Sequence, residues 1–189
     1  NRIVIDSPRP RLGIITSGKS YLDVRQALND LGITEADAAE IGLRVYKIAM
    51  PWPLEPEGVR DFALGLEEIL VVEEKRQIVE YQLKEQLYNW RDDARPRVVG
   101  KFDEKGEWVR PHGEWLLPAA GELTPAMVAR VIAKRIERLG LTPNDADRRQ
   151  IAQRVDWINA KEAALAKPKI TLARVPYFCS GCPHNTSTK

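Results

Sequence analysis

The chain has 189 residues, of which 43% are apolar and 30% charged, and its formal net charge is +2. That near-neutral balance argues against a dedicated nucleic-acid binder, which carries a concentrated basic excess. Its longest apolar runs, such as Ile69 to Val72, are too short to cross a membrane, so no membrane partner is expected.

Residues 1–11 hold Pro8 and Pro10 and read as an extended lead-in. Leu12 to Thr16 is a short apolar run, predicted as a buried strand. After a turn over Ser17 to Lys19, Ser20 is expected to cap a helix. Tyr21, Val24, Leu28 and Leu31 lie on one face of it, and Gly32 ends it. Thr34 and Asp37 have capping-box spacing, which predicts a short helix to Glu40. Leu43 to Met50 is the next strand, followed by a stiff loop bearing Pro51, Pro53 and Pro56.

Gly58 to Leu66 is predicted helical, Glu68 to Val72 a strand, and Gln77 to Trp90 a helix. That last helix buries Val79, Leu83 and Leu87 and exposes Glu80 and Lys84 as an i,i+4 pair. Three strand–helix repeats call for an α/β fold, a mostly parallel sheet with flanking helices, over about residues 11–103. Val98 to Phe102 is a candidate fourth strand. Residues 103–121 are polar and read as an irregular loop in which His112 has no evident partner. Two further helices are predicted, Thr124 to Leu139 and Thr142 to Ala166, with Pro125 and Pro143 at their first turns. They form a helical appendage, and an extended C-terminal tail follows from Lys167.

Four features invite a chemical reading. Gly13 to Ser20 fits the formal pattern G-x-x-x-x-G-K-S of a phosphate-binding loop. The apolar pair Ile14 and Ile15 puts a strand inside the match, however, where backbone N–H groups should converge on one anion. A strand–helix turn is therefore expected, with a phosphate-handling enzyme as an alternative. Glu73, Glu74 and Lys75 close a strand at the end where open α/β sheets bind ligands, and the plain expectation is a solvated terminus. Arg130, Lys134 and Arg138, with Arg135 beside them, are expected as the solvated face of an amphipathic helix. The alternative is a module that binds RNA or an acidic partner.

The fourth feature is Cys179-Ser180-Gly181-Cys182, which holds the only two cysteines of the sequence. Haem attachment needs His directly after the second Cys, and Pro183 stands there. A thioredoxin-like pair belongs between a strand and a helix of a βαβ unit, and this pair lies outside that unit. A zinc knuckle, to which His184 adds one donor, and half of an iron–sulfur site both suit the spacing, and inert thiols stay open too. Two clustered cysteines make no disulfide framework, so a reducing cytoplasm is the expected compartment. A start at Asn1 rather than Met, together with half a ligand set, suggests an excised piece of a longer polypeptide.

Three runs carry a family resemblance: GIITSGKSYLDVRQALNDLGI, then KIAMPWPLEPEGVRDFALGLEEILVVEEKRQIVEYQLKEQLYN, then PYFCSGCPHNTSTK. Over nearly its whole length the chain resembles the middle of an indolepyruvate ferredoxin oxidoreductase. The resemblance implies that residues 1–103 form a domain like the C-terminal domain of transketolase, that residues 104–167 are a loop and the helical appendage, and that residues 168–189 begin the thiamine-pyrophosphate-binding domain. It implies a parent enzyme that decarboxylates an arylpyruvate on thiamine pyrophosphate, passes electrons through 4Fe–4S clusters to ferredoxin and releases an acyl-CoA. It further implies that Cys179 and Cys182 are two ligands of one cluster, and that His184 and Asn185 line the cofactor site. The other domains of the parent, ferredoxin and CoA are the implied partners, and the parent is implied to be a homo-oligomer. No catalytic residue and no bound cofactor are expected in these 189 residues taken alone.

Overall fold

The computed structural model describes residues 1–103, 115–165 and 182–184. Among the described residues five strands and six helices follow in the order β1 (Arg2–Ile5), β2 (Leu12–Ser17), α1 (Gly18–Asp30), α2 (Glu35–Ile41), β3 (Leu43–Ile48), α3 (Pro56–Ala63), β4 (Glu68–Val72), α4 (Ile78–Leu87), β5 (Arg97–Val99), α5 (Pro125–Arg138) and α6 (Asp145–Leu165). The strands form one sheet in the order β1-β3-β2-β4-β5. Pairing is parallel except for β1, which runs antiparallel to β3 with Arg2 opposite Lys47. This is the expected α/β fold with a mostly parallel sheet. The lead-in over residues 1–11 is an addition to it, because Arg2–Ile5 finishes one edge of the sheet.

Alternation along the strands sends side chains to two faces, and both are buried. Leu12, Ile14, Leu43, Val45, Leu70 and Val72 share a core with Val24, Ala27 and Leu28 of α1 and with Val128, Ala129, Val131, Ile132 and Ile136 of α5. Ile15, Tyr46, Ile48, Ile69 and Val71 meet Val59, Phe62 and Ala63 of α3 and Val79, Leu83 and Leu87 of α4. Coverage on both faces explains why all five residues of β4 are buried. The first helix of the expected appendage thus completes the core of the sheet. Its larger buried aliphatic side chains are each worth about 1–3 kcal/mol of transfer free energy. The first compact unit runs from Asn1 to Ile158 and the second from Asn159 to Lys189.

Several boundaries depart from the sequence pattern, two of them because caps come from unexpected side chains. Helix α1 opens at Gly18 with Ser17 at its N-cap, and Ser20 is buried inside it. Helix α3 opens at Pro56 because the Glu55 carboxylate accepts from the N–H groups of Glu57 and Gly58 at 2.6 and 2.9 Å. Helix α6 opens at Asp145, since the Asn144 side chain accepts from the N–H groups of Ala146 and Asp147. At α2 the capping box is as expected: Thr34 accepts from the Asp37 N–H, and Asp37 accepts from the Thr34 N–H. Bonds from the Thr34 hydroxyl and N–H hold the Asp37 carboxyl below its usual range.

Candidate functional site

The ligand crevice of an open α/β sheet lies at the carboxyl ends of its strands, where the strand order reverses. Here that point is between β2 and β4, so the residues that follow them are Gly18, Lys19, Glu73, Glu74 and Lys75. Glu73 overturns the expectation of a solvated terminus. Its side chain is buried, and its carboxylate accepts from the N–H groups of Ile78, Val79 and Glu80 at 2.9–3.1 Å. It therefore caps the first turn of α4, whose Gln77 makes no side-chain cap bond. Burial raises its pKa; the three N–H bonds pull the other way.

Lys101 lies buried beside this carboxylate. Its ammonium donates to the carbonyls of Glu73 and of Pro118, the latter at 3.2 Å. Its own N–H donates to Glu80 at 3.0 Å. Burial lowers the Lys101 pKa, against the pull of Glu73, Glu80 and Glu74. The expected Glu80–Lys84 pair is present at 2.5 Å, but Glu80 is buried rather than exposed, because it also receives that Lys101 N–H. Gly100 fits closely here, since a Cβ on it would lie 2.9 Å from the Glu80 carboxyl carbon.

Two more lysines tie down the same chain segment. Lys75 donates to the Gly121 carbonyl and Lys19 to the Leu123 carbonyl, both at 3.0 Å. Lys19 also pairs with Asp23 at 3.0 Å and Glu122 at 3.2 Å, and it stands 3.7 Å from Glu74. The bond to Asp23 raises its pKa. Three cations at the carboxyl edge are thus engaged by the chain's own carbonyls and carboxylates. Pro118, Gly121 and Leu123 supply those carbonyls at this edge.

These contacts also explain the formal phosphate-loop match. Gly13 lies within β2, and a Cβ there would come 2.7 Å from the Phe62 ring, so this glycine lets α3 approach the sheet. The lysine of the match, Lys19, meets acidic side chains. No anion cradle results.

The basic helix is corrected in one residue. Arg130, Lys134 and Arg138 lie at the surface or partly so, whereas Arg135 is 1% exposed. Its guanidinium reaches the amino end of β4 and binds Glu68, itself 0% exposed, at 2.7 and 2.8 Å. A planar fork meeting a carboxylate through two bonds is the strongest geometry open to such a pair. Sequence reasoning missed both partners, which are 67 residues apart and look like surface charges.

The cysteine segment is described in part. The Cys182 Sγ lies 3.3 Å from the His184 Nδ1. Cys179 and Asn185 fall outside the described residues, as do His112 and the tail from Lys167 to Val175. Among the described residues no group of three or more His, Cys, Asp and Glu converges as metal ligands. A 4Fe–4S cluster takes four thiolates and the sequence holds two cysteines, so this chain does not fit a whole cluster by itself. Among the described residues no helix is long and apolar enough to cross a membrane.

Fold and site together define an open, mostly parallel α/β domain whose carboxyl-edge lysines are bonded to carbonyls of its own chain. Residues 1–168 match the indolepyruvate ferredoxin oxidoreductase middle domain, and the chain belongs to that family. Indolepyruvate oxidoreductase subunit IorA of Pyrococcus abyssi is 31% identical over 178 residues, 94% of this chain and 22% of that protein. The IorA subunit of Thermococcus kodakarensis is 29% identical over the same shares of each chain. The chain therefore spans about a fifth of the length of these curated relatives. A solved 2-oxoglutarate:ferredoxin oxidoreductase from Magnetococcus marinus is similar over 71% of this chain and 19% of that one, with 17% identity and a TM-score of 0.43.

Proposed function

We propose that this chain is a scaffold domain of an enzyme that oxidatively decarboxylates indolepyruvate or a similar arylpyruvate to an acyl-CoA, with ferredoxin as electron acceptor. In this reading the α/β unit positions neighbouring domains and performs no step of the chemistry. The observation that carries it is the engagement of the carboxyl-edge lysines: Lys19, Lys75 and Lys101 bind carbonyls of Leu123, Gly121 and Pro118, at the edge where an active sheet would receive its ligand. Membership in the middle-domain family supports the same role.

Residues 168–189 would lead into the thiamine-pyrophosphate domain, with His184 and Asn185 near that cofactor. Cys179 and Cys182 would donate two thiolates to a 4Fe–4S cluster, and cysteines elsewhere in the longer polypeptide would complete it. His184 Nδ1 lies 3.3 Å from the Cys182 sulfur, which sets a nitrogen donor beside the proposed thiolate ligand. The parent enzyme would act in the cytoplasm as a homo-oligomer. The test is C179S and C182S in the full-length polypeptide, read by iron content and the electron paramagnetic resonance of its reduced clusters. The signal of one cluster should be lost in each variant. An unchanged iron content and spectrum would refute the ligand assignment.

A further inference from the structure

Helix α4 is apolar on two sides. Val79, Leu83 and Leu87 face the sheet. On the opposite side Ile78, Tyr81 and Tyr88 follow one another at spacings of three and seven, which is one stripe of a helix, with the exposed Glu85 as the charged residue among them. These residues are well exposed, Ile78 at 53% and Tyr88 at 74%. A helix that covers a core and meets only water carries polar residues outward; apolar residues on both sides mark a helix covered twice.

The stripe has a neighbour. Trp52, 70% exposed, sits in the loop after β3. The Gln82 amide nitrogen donates both to the Pro51 carbonyl at 2.8 Å and to the Ile78 carbonyl at 2.9 Å. The Gln82 oxygen accepts from the Leu54 N–H at 2.7 Å, and Gln86 donates to the Leu54 carbonyl at 2.8 Å. One glutamine thus joins the loop bearing Trp52 to the first turn of α4. Trp, Tyr and Ile presented on a fixed frame are the residues that anchor protein–protein contacts, and such a patch is unusual on a free surface.

We propose that Trp52 and the outer stripe of α4 form the surface on which the remainder of the longer polypeptide docks. The inference rests on the scaffold reading above. Its occupant follows from length: the relatives continue for about four-fifths of their residues beyond the matched part. A scaffold must bury apolar area against them, and the proposal commits to a neighbouring domain with an apolar contact surface rather than a second copy of this one.

The test uses W52C and I78C made singly, with A36C on α2 as reference. Each is made in the full-length polypeptide and in the 189-residue chain, and maleimide labelling is read by peptide mass spectrometry. In W52C and I78C the introduced thiol should label at least about tenfold more slowly in the full-length protein than in the 189-residue chain, because an interface core excludes solvent. The thiol introduced in A36C should label at the same rate in both. Equal rates in both proteins for all three variants would overturn the proposal, as would equal shielding of all three positions. Shielding within the 189-residue chain that grows with its own concentration would assign the face to a second copy and also overturn it. Turnover of indolepyruvate by the 189-residue chain would sink the scaffold reading without altering these rates, so the two failures are separable.

Discussion

The two ends of β4 each bury a glutamate, and they satisfy it differently. At the amino end Glu68 is met by the guanidinium of Arg135, which arrives from α5 across the core. At the carboxyl end Glu73 is met by three N–H groups of the helix that directly follows it. The first arrangement is tertiary: it fixes where α5 sits, and it fails if either partner is lost. The second is local and forms as soon as α4 starts, while the distant residue Lys101 only closes the chain over it. A buried charge specifies long-range structure where its partner is far away in sequence, and a helix boundary where its partner is the next turn.

The sharpest way to break this contrast is to remove one partner at the amino end. E68A and R135A should each lose about 3–5 kcal/mol in urea denaturation, because each removes one partner of a buried ion pair joined by two bonds. Their double-mutant cycle should show strong coupling. A loss below about 1 kcal/mol in either variant would mean that the pair does not hold α5.

At the carboxyl end the expected effect is smaller. K101M should cost about 1–3 kcal/mol by leaving buried carbonyls without a donor. The pH dependence separates the two groups there. Lys101 has a lowered pKa in the fold, so its contribution is present above the ordinary lysine value and is lost as pH falls through the lowered one. Glu73 has a raised pKa, so its contribution is full below the ordinary carboxylate value and is lost as pH rises through the raised one. Denaturation curves of K101M should lack the gain toward alkaline pH that the parent chain shows, and those of E73Q should lack the loss on leaving acid. An unchanged profile in both variants would show that neither group is buried in solution.

Smaller still is the cap of α2. T34A should cost about 1 kcal/mol in thermal unfolding. It should also weaken the acid sensitivity that Asp37 supplies, whose contribution is present above its ordinary pKa and lost as pH falls through the lowered one. On the outer stripe of α4, Y88S in the 189-residue chain should change stability by no more than about 0.5 kcal/mol, since the side chain meets solvent. A larger loss would place Tyr88 in a contact within the chain.

The same contrast explains what is visible in the sequence. Strands β2 and β4 are legible because both faces of the sheet are covered, which turns them into unbroken apolar runs. The start of α5 is legible because Thr124 and Pro125 signal it locally, and so is the capping box of α2. The helix start set by Glu55 is not, because a glutamate gives no start signal until the turn it caps exists. Arg135 reads as solvent-facing because nothing within α5 indicates Glu68. Strand β1 escapes because two prolines follow it and its partner lies beyond two helices. Of the candidate ligands, the spacing of Cys179 and Cys182 points to a shared metal, but their number cannot complete a cluster.

The central claim is that these residues support chemistry carried out by the rest of a longer enzyme. It is tested most directly by supplying indolepyruvate, CoA, thiamine pyrophosphate and an electron acceptor to the purified 189-residue chain and to the full-length polypeptide, and measuring acyl-CoA. The account predicts product from the full-length protein and none above the protein-free control from the chain. Acyl-CoA formed by the 189 residues alone would contradict it.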